Sequence, residues 1–334
     1  MAKRQGREIN LVYRPYSGLA KDAEVIREAL EGSGFSLLDR HAAGYTYPER
    51  LRRCLLRLSG GRVRPRYALN IFLEEVFPEW LPHARANILI PNQEWCRPTT
   101  YRQLTAMDAI LCKTRYAEEV FSRLLPGKVR FVGFSSSDRH DASVQKDFSR
   151  FFHSAGRSKQ KGTATLLNVW ARRPDWPALT VVAQDEELVL GISAPNIHRL
   201  NYLDDTELQK MQNSYGIHLC PSEAEGFGHS IVEAMGCAAM VLTTDAPPMN
   251  ELVTAERGRL VPFAGRKPQM LGFNYYVDEL ALEAAIDAII HLQNVEKVQV
   301  GVRARAWFSA TKAEFSQSFL AEIEEVLNQD QQSG

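Results

Sequence analysis

No stretch of this 334-residue chain holds the roughly 18 consecutive apolar residues that a membrane-spanning helix needs, and Met1 to Glu8 lack the apolar core of a signal peptide. A cytoplasmic location is expected. Cysteine is scarce: Cys54, Cys96, Cys112, Cys220 and Cys237 are odd in number, scattered, and never spaced Cys-x-x-Cys. Reduced core thiols fit this usage better than disulfides or a zinc site. No Asp-x-Asp follows a predicted strand to hold a divalent ion against a diphosphate, so no metal site is expected. No third glycine completes Gly-x-Gly-x-x-Gly after Gly226-Phe-Gly228, which sets aside a nicotinamide dehydrogenase. Internal repeats, low-complexity tracts and nucleic-acid-binding patterns are also missing.

Net charge is the last absence, and it conceals an asymmetry. The chain balances 40 Lys and Arg against 40 Asp and Glu, yet residues 1–145 hold 23 basic against 16 acidic ones. The excess concentrates between Glu49 and Arg66, where Arg50, Arg52, Arg53 and Arg57 alternate with Leu51, Leu55 and Leu58 after Pro48. Two readings stand: a surface helix that packs its leucines into its own domain, or a basic amphipathic helix that meets an anionic membrane face or a lipid-linked diphosphate.

The length favours two domains of ordinary size. Strands are predicted at 9–13, 67–72, 86–90, 109–112 and 129–134, with helices at 20–31, 101–107 and 115–124. The polar stretch Ser135 to Ser143 has linker chemistry. Beyond it the plan repeats, with strands at 150–154, 179–183, 197–200, 217–220, 239–243 and 260–262. Helices are predicted at 163–170, 204–214, 229–236, 281–292 and 295–325. This alternation predicts an α/β chain of two doubly wound parallel-sheet domains: 1–140, 145–303, and a terminal helix over 304–334.

One stretch names a chemistry: Pro221-Ser-Glu-Ala-Glu-Gly-Phe-Gly-His-Ser-Ile-Val-Glu-Ala-Met235. A strand, a glycine turn and a helix N-terminus make an anion site, because the first helical N–H groups are unpaired and the helix dipole favours negative charge. Eight residues at 100° each return to within about 80° of the start, so Glu225 and Glu233 are expected to line one cleft. As acceptor-only groups they would grip hydroxyls.

This string resembles the Glu-x7-Glu signature of family 4 retaining glycosyltransferases of the GT-B fold. Phe152 to Thr163 resembles the family's Gly-Arg…Lys-Gly element, and Thr243 to Val253 its following strand and loop. The resemblance implies two Rossmann-like domains facing a central cleft, with a C-terminal helix crossing back onto the first. It implies a metal-independent enzyme without cofactor, moving a sugar from a nucleotide diphosphate to a glycan or lipid-linked acceptor, as in surface polysaccharide or lipopolysaccharide synthesis. Arg157 and Lys161 then face the diphosphate, with Lys159 as a substitute, since the Arg-to-Lys spacing is one residue shorter than usual. Glu233 takes the ribose hydroxyls and Glu225 the donor sugar. Gly226, Phe227 and Gly228 supply backbone N–H groups, with Ser222 and Ser230 as secondary candidates. Ser17 and Gly18 occupy the place of the family's glycine-rich first loop, which lies under the diphosphate and so binds the donor. Asn92, Gln93 and Glu94 stand where many relatives carry a histidine, a departure that keeps open a catalytically silent nucleotide-sugar-binding or partner-binding protein. The resemblance also departs at Gly236 to Val241, where Ala238 and Met240 replace the usual Gly-x-Pro-Val.

Overall fold

The computed structural model describes residues 7–41, 65–185 and 191–333. Arg50, Arg52, Arg53 and Arg57 lie outside the described residues. The chain divides into two compact units, Met1–Phe134 with Ala313–Gly334, and Ser135–Lys312.

In unit 1, β1 (Glu8–Tyr13), β2 (Ser36–His41), β3 (Tyr67–Leu73), β4 (Ala84–Ile90), β5 (Ala109–Cys112) and β6 (Val129–Phe131) form one parallel sheet in the order β2-β1-β3-β4-β5-β6. β3 reads Tyr-Ala-Leu-Asn-Ile-Phe-Leu and is buried throughout. A sheet covered on both faces demands such runs, because no residue of a central strand points to water. Asn10, Asn70 and Asn87 interrupt three neighbouring runs at one register level. Asn10 donates to Asn70 at 2.7 Å and Asn70 to Asn87 at 2.8 Å, so the buried amides link in a chain across the sheet and pin its register, while Asn10 Oδ1 has no partner among the described residues. Two helices flank the strands, α1 (Ser17–Leu30) and α2 (Arg115–Ser122), the second capped by Thr114, which accepts from the Ala117 N–H. Asp22 on α1 forms a 2.9 Å ion pair with Lys113 at the end of β5, each side chain 3% exposed.

In unit 2, β7 (Asp147–Gly156), β8 (Leu179–Ala183), β9 (Ile197–Leu200), β10 (Tyr215–Cys220), β11 (Met240–Thr244) and β12 (Arg259–Val261) form a second parallel sheet, ordered β12-β11-β10-β7-β8-β9. Numbered from β7, this is 3-2-1-4-5-6 read from the other edge, the strand order of dinucleotide-binding folds. The order reverses between β7 and β10, and ligands of such sheets sit outside the carboxyl ends of the strands at that switch. Between the strands run α3 (Thr163–Ala171), α4 (Asp205–Ser214), α5 (His229–Gly236) and α6 (Glu279–His291). The core is built around Phe151, Trp170 and Trp176, whose rings meet at an angle, tilted at 5.3 Å and edge to face at 4.9 Å. A 40-residue helix, α7 (Asn294–Ser333), closes the chain. Its last part belongs to unit 1, where Phe315 meets Phe134 at 4.8 Å and Phe319 at 5.3 Å.

Several local expectations are corrected. α1 begins at Ser17, three residues before the predicted start, because nothing in Ser17-Gly-Leu-Ala blocks a helix once Pro15 is past. The predicted helix at 101–107 is instead a turn at Pro98–Tyr101 and a 3-10 segment at Leu104–Ala106. β2 and an antiparallel hairpin, β13 (Phe263–Gln269) and β14 (Gly272–Val277), have no counterpart in the sequence reading. β2 carries Asp39, Arg40 and His41, an edge composition without the buried run that marks inner strands.

Candidate active site

The loops that follow β7 and β10 meet at the switch point of unit 2. Their contact is enforced by Gly162, which adopts φ +65°; a Cβ there would lie 2.1 Å from the Pro221 carbonyl oxygen, so no other residue allows this approach. The Glu223 N–H donates to the Gln160 carbonyl at 2.8 Å, the Tyr275 N–H of β14 to the Glu223 carbonyl at 2.7 Å, and the Gln160 side-chain amide to Asn274 at 2.7 Å. Beneath the loops lies His153, fully buried. Its Nδ1–H donates to the Leu219 carbonyl at 2.7 Å, which leaves Nε2 to accept from the Thr163 hydroxyl at 2.9 Å. Burial pushes its pKa down to about 4, and a neutral imidazole is what both bonds require.

On this base Lys161 Nζ rests 2.5 Å from Glu225 Oε1 and 3.2 Å from Ser230 Oγ. Both charged side chains are mostly covered, 16% and 10% exposed, yet they reach the mouth of the turn. Glu233 is buried one turn inside α5, and the Gln212 amide donates to its Oε2 at 2.9 Å. Gln212 accepts from Arg139 at 2.6 Å, so an arginine on one side and a carboxylate on the other fix the amide's orientation. Cys220, at the end of β10, is buried, and burial, opposed by the Lys161 charge and helped by Glu225 and Glu233, pushes its thiol up to about 12. The angular argument from the sequence is corrected in its reason, since Glu225 precedes the helix and does not lie on it.

Gly228, at φ 114°, is the residue before α5 and has no side chain to cap the helix, so the first N–H groups of α5 face the loop. Phe227 is buried, its ring 5.5 Å from that of His229, and His229 Nδ1 lies 2.7 Å from the Ser136 hydroxyl. Ser222 is wholly buried; its carbonyl accepts from Thr244 and its Oγ has no partner, so it underpins the turn from within. Gly226 stands between Glu225 and Phe227 and is half-buried. Arg157 is exposed and donates to Gln184 at 2.7 Å, at the end of β8, and is not drawn into the lysine–glutamate cluster. Lys159 pairs with Asp185 at 3.2 Å.

Unit 1 gathers its own polar groups at the carboxyl ends of its strands. Gly18 lies in the first turn of α1, and a Cβ there would meet nothing within 4 Å, so there is open space beside this helix start. Ser17 is the first residue of the same helix. Asn92 donates to Glu74 Oε2 at 2.8 Å, while Gln93 and Glu94 are buried in a single 3-10 turn. Glu74 was not singled out from sequence. It holds φ 63°, a left-handed conformation rare outside glycine, and burial raises its pKa against the lowering effect of Asn92 and Lys113. Beside it Glu75 pairs with Arg14 at 2.9 Å and Arg97 at 3.2 Å. Gln212 and Ser136 were also missed. The signal for Gln212 is a pair of amides, Gln212 and Asn213, on the buried side of α4.

Among the described residues, no group of three or more His, Cys, Asp or Glu side chains is placed to hold a metal ion, and no helix is long and apolar enough to cross a membrane.

Residues 137–272, which carry both loops of unit 2, match the family model described as glycosyl transferases group 1. The architecture is shared by a glycosyltransferase from Rickettsia africae (12% identity, TM-score 0.63, covering 96% of this chain and 98% of that one). It is shared too by sucrose-phosphate synthase from Thermosynechococcus elongatus (16%, 0.66, covering 98% and 100%). A third similar structure is HepE from Anabaena in complex with UDP (14%, 0.68, covering 96% and 100%). At such identities the likeness is one of fold. No curated protein sequence matches the chain. Two parallel-sheet α/β units give the chain the GT-B fold of these structures, and residues 137–272 of unit 2 are similar to the glycosyl transferases of group 1.

Proposed function

We propose that the chain is a retaining, metal-independent glycosyltransferase with the Glu-x7-Glu site of family 4, moving a sugar from a nucleotide diphosphate to a glycan or lipid-linked acceptor. The observation that carries this reading is the contact of Lys161 with both Glu225 and Ser230 at the start of α5, with Glu233 buried in the same helix and held by Gln212. Glu233, held by Gln212, accepts from the ribose hydroxyls, and Glu225 from hydroxyls of the donor sugar. Lys161 and the first N–H groups of α5 face the diphosphate, and Arg157 would join them by releasing Gln184. One cation about 4 Å from a phosphate charge gains about 4 kcal/mol at an effective dielectric of 20. That HepE was solved with UDP supports a nucleotide in a fold of this kind.

Transfer then runs on one face of the sugar. The anomeric C–O bond to the diphosphate breaks and a bond to the acceptor hydroxyl oxygen forms on the same side. The hydroxyl proton passes to the departing phosphate oxygen, so configuration is retained and no protein base is consumed. Lys161 and the helix start stabilise the charge that grows on the leaving group. In unit 1, the helix start at Ser17 and Gly18 is assigned to the donor diphosphate, and the polar ends Asn92, Gln93 and Glu94, with Glu74, to the acceptor side. The basic segment with Arg50, Arg52, Arg53 and Arg57 is assigned to an anionic membrane surface, which places the enzyme at the inner face of the membrane in a pathway of surface polysaccharide or lipopolysaccharide type.

Incubation with UDP-, GDP- and ADP-sugars is expected to release nucleotide diphosphate from one of them at a rate that EDTA leaves unchanged. Tight binding without release from any donor or acceptor would favour a silent binder, and loss of release in EDTA would remove the metal-independent reading.

A further inference from the structure

A second cavity, of about 340 Å³, lies at the other end of unit 2's sheet. It adjoins Ser149, in the first half of β7, whereas the nucleotide-side loop begins at Gly156 at the strand's end. Seven residues at about 3.3 Å each put roughly 20 Å between them, too far for one ligand to serve both.

Its walls are of two kinds. Phe151, Pro177 and Leu292 supply an apolar surface, and Asn294 and Lys297, in the first turns of α7, supply the polar one. Lys297 is 4% exposed, and its ammonium has a single partner among the described residues, the Ile290 carbonyl oxygen at 3.3 Å. An ammonium with one long neutral acceptor at the wall of an open cavity keeps two N–H donors and its charge available to an anion that enters. Burial lowers its pKa from the ordinary lysine value, as expected where no carboxylate offsets the loss of water. The nearby acidic groups are already engaged: Glu296 accepts from the Gln293 N–H, and Asp147 from the Ser149 hydroxyl and N–H. The volume lies at the lower end of the range of small-molecule pockets. One cation beside an apolar wall suits a carboxylate on a compact apolar body, while a bare phosphate would strand its remaining oxygens against Phe151 and Leu292.

We propose that this cavity is a binding site for a small organic carboxylate, whose charge rests on Lys297 and whose apolar body packs on Phe151, Pro177 and Leu292. The site is independent of the nucleotide-sugar reading and uses none of its residues.

Isothermal titration of the full chain with benzoate, its neutral isostere benzamide, and inorganic phosphate tests this. Benzoate is expected to bind saturably, one per chain, with benzamide and phosphate weaker by about tenfold or more. Lys297→Met, which keeps the length and apolar stem of the side chain, is expected to weaken benzoate by a similar factor. Lys161→Ala is expected to leave it intact. The proposal is overturned if wild-type protein shows no saturable benzoate binding, if benzamide or phosphate binds as well, if Lys297→Met binds undiminished, or if Lys161→Ala abolishes binding. Should Lys297→Met not fold, the benzoate–benzamide comparison on wild type decides alone.

Discussion

Lys161→Ala is expected to lower sugar transfer by about 10²- to 10³-fold, the usual cost of one preorganised donor that faces charge developing in a transition state. The lysine is held before any ligand arrives, by Glu225 at 2.5 Å and Ser230 at 3.2 Å, so little reorganisation accompanies the reaction. Its removal acts twice: the leaving diphosphate loses a cation, and Glu225, 10% exposed, loses the partner that aims it. The effect should fall on kcat more than on KM, because charge on the bridging oxygen grows only as the bond breaks. Lys161→Arg should recover part of the loss, since it restores charge without the compact geometry. Steady-state kinetics with the donor identified by nucleotide release would show this. A variant with unchanged kcat would mean that Lys161 serves only to hold two loops together.

The largest expected effect on stability is at a place remote from unit 2's loops. Asp22→Ala should destabilise the protein by about 3–5 kcal/mol, because it leaves the Lys113 ammonium buried beside the Phe134 ring without its carboxylate. The attraction within the pair is not the source of this figure. Two charges brought out of water lose hydration that their contact only roughly restores, so what the single substitution exposes is the uncompensated survivor. The double variant Asp22→Leu, Lys113→Met should therefore regain most of the loss. Urea unfolding of the three proteins separates the two accounts: a double variant as unstable as the single one would show that the pair itself stabilises unit 1.

The elements most legible in the sequence were those with buried runs. The strands at 109–112 and 179–183 and the helix at 229–236 coincide with the structure, because strands covered on both faces read as unbroken apolar segments. β2 and the β13–β14 hairpin did not announce themselves. One is an edge strand with charges, and the other a ribbon whose first strand is largely exposed, so neither carries an apolar period. At the site, the chemistry of Lys161, Glu225 and Ser230 could be read from the string of residues, but not their contact. That depends on Gly162 letting two loops close to within a carbonyl's reach. Gln212 was illegible because its role follows from which side of α4 is buried. Glu74 was illegible because a positive φ at a strand end leaves no mark on composition. Ala238 holds φ 58° where glycine would be at ease, a strain that only the backbone reveals.

The central claim is that Glu233 and its neighbours hold a nucleotide. Calorimetric titration of UDP, GDP and ADP into wild type and Glu233→Gln tests it most directly, since the amide keeps the shape but not the charge that grips two ribose hydroxyls. One nucleotide should bind wild type, and the variant should bind it about 10- to 100-fold more weakly, the worth of a charge-assisted hydrogen bond. Equal affinity in both proteins would place the nucleotide elsewhere and contradict the account.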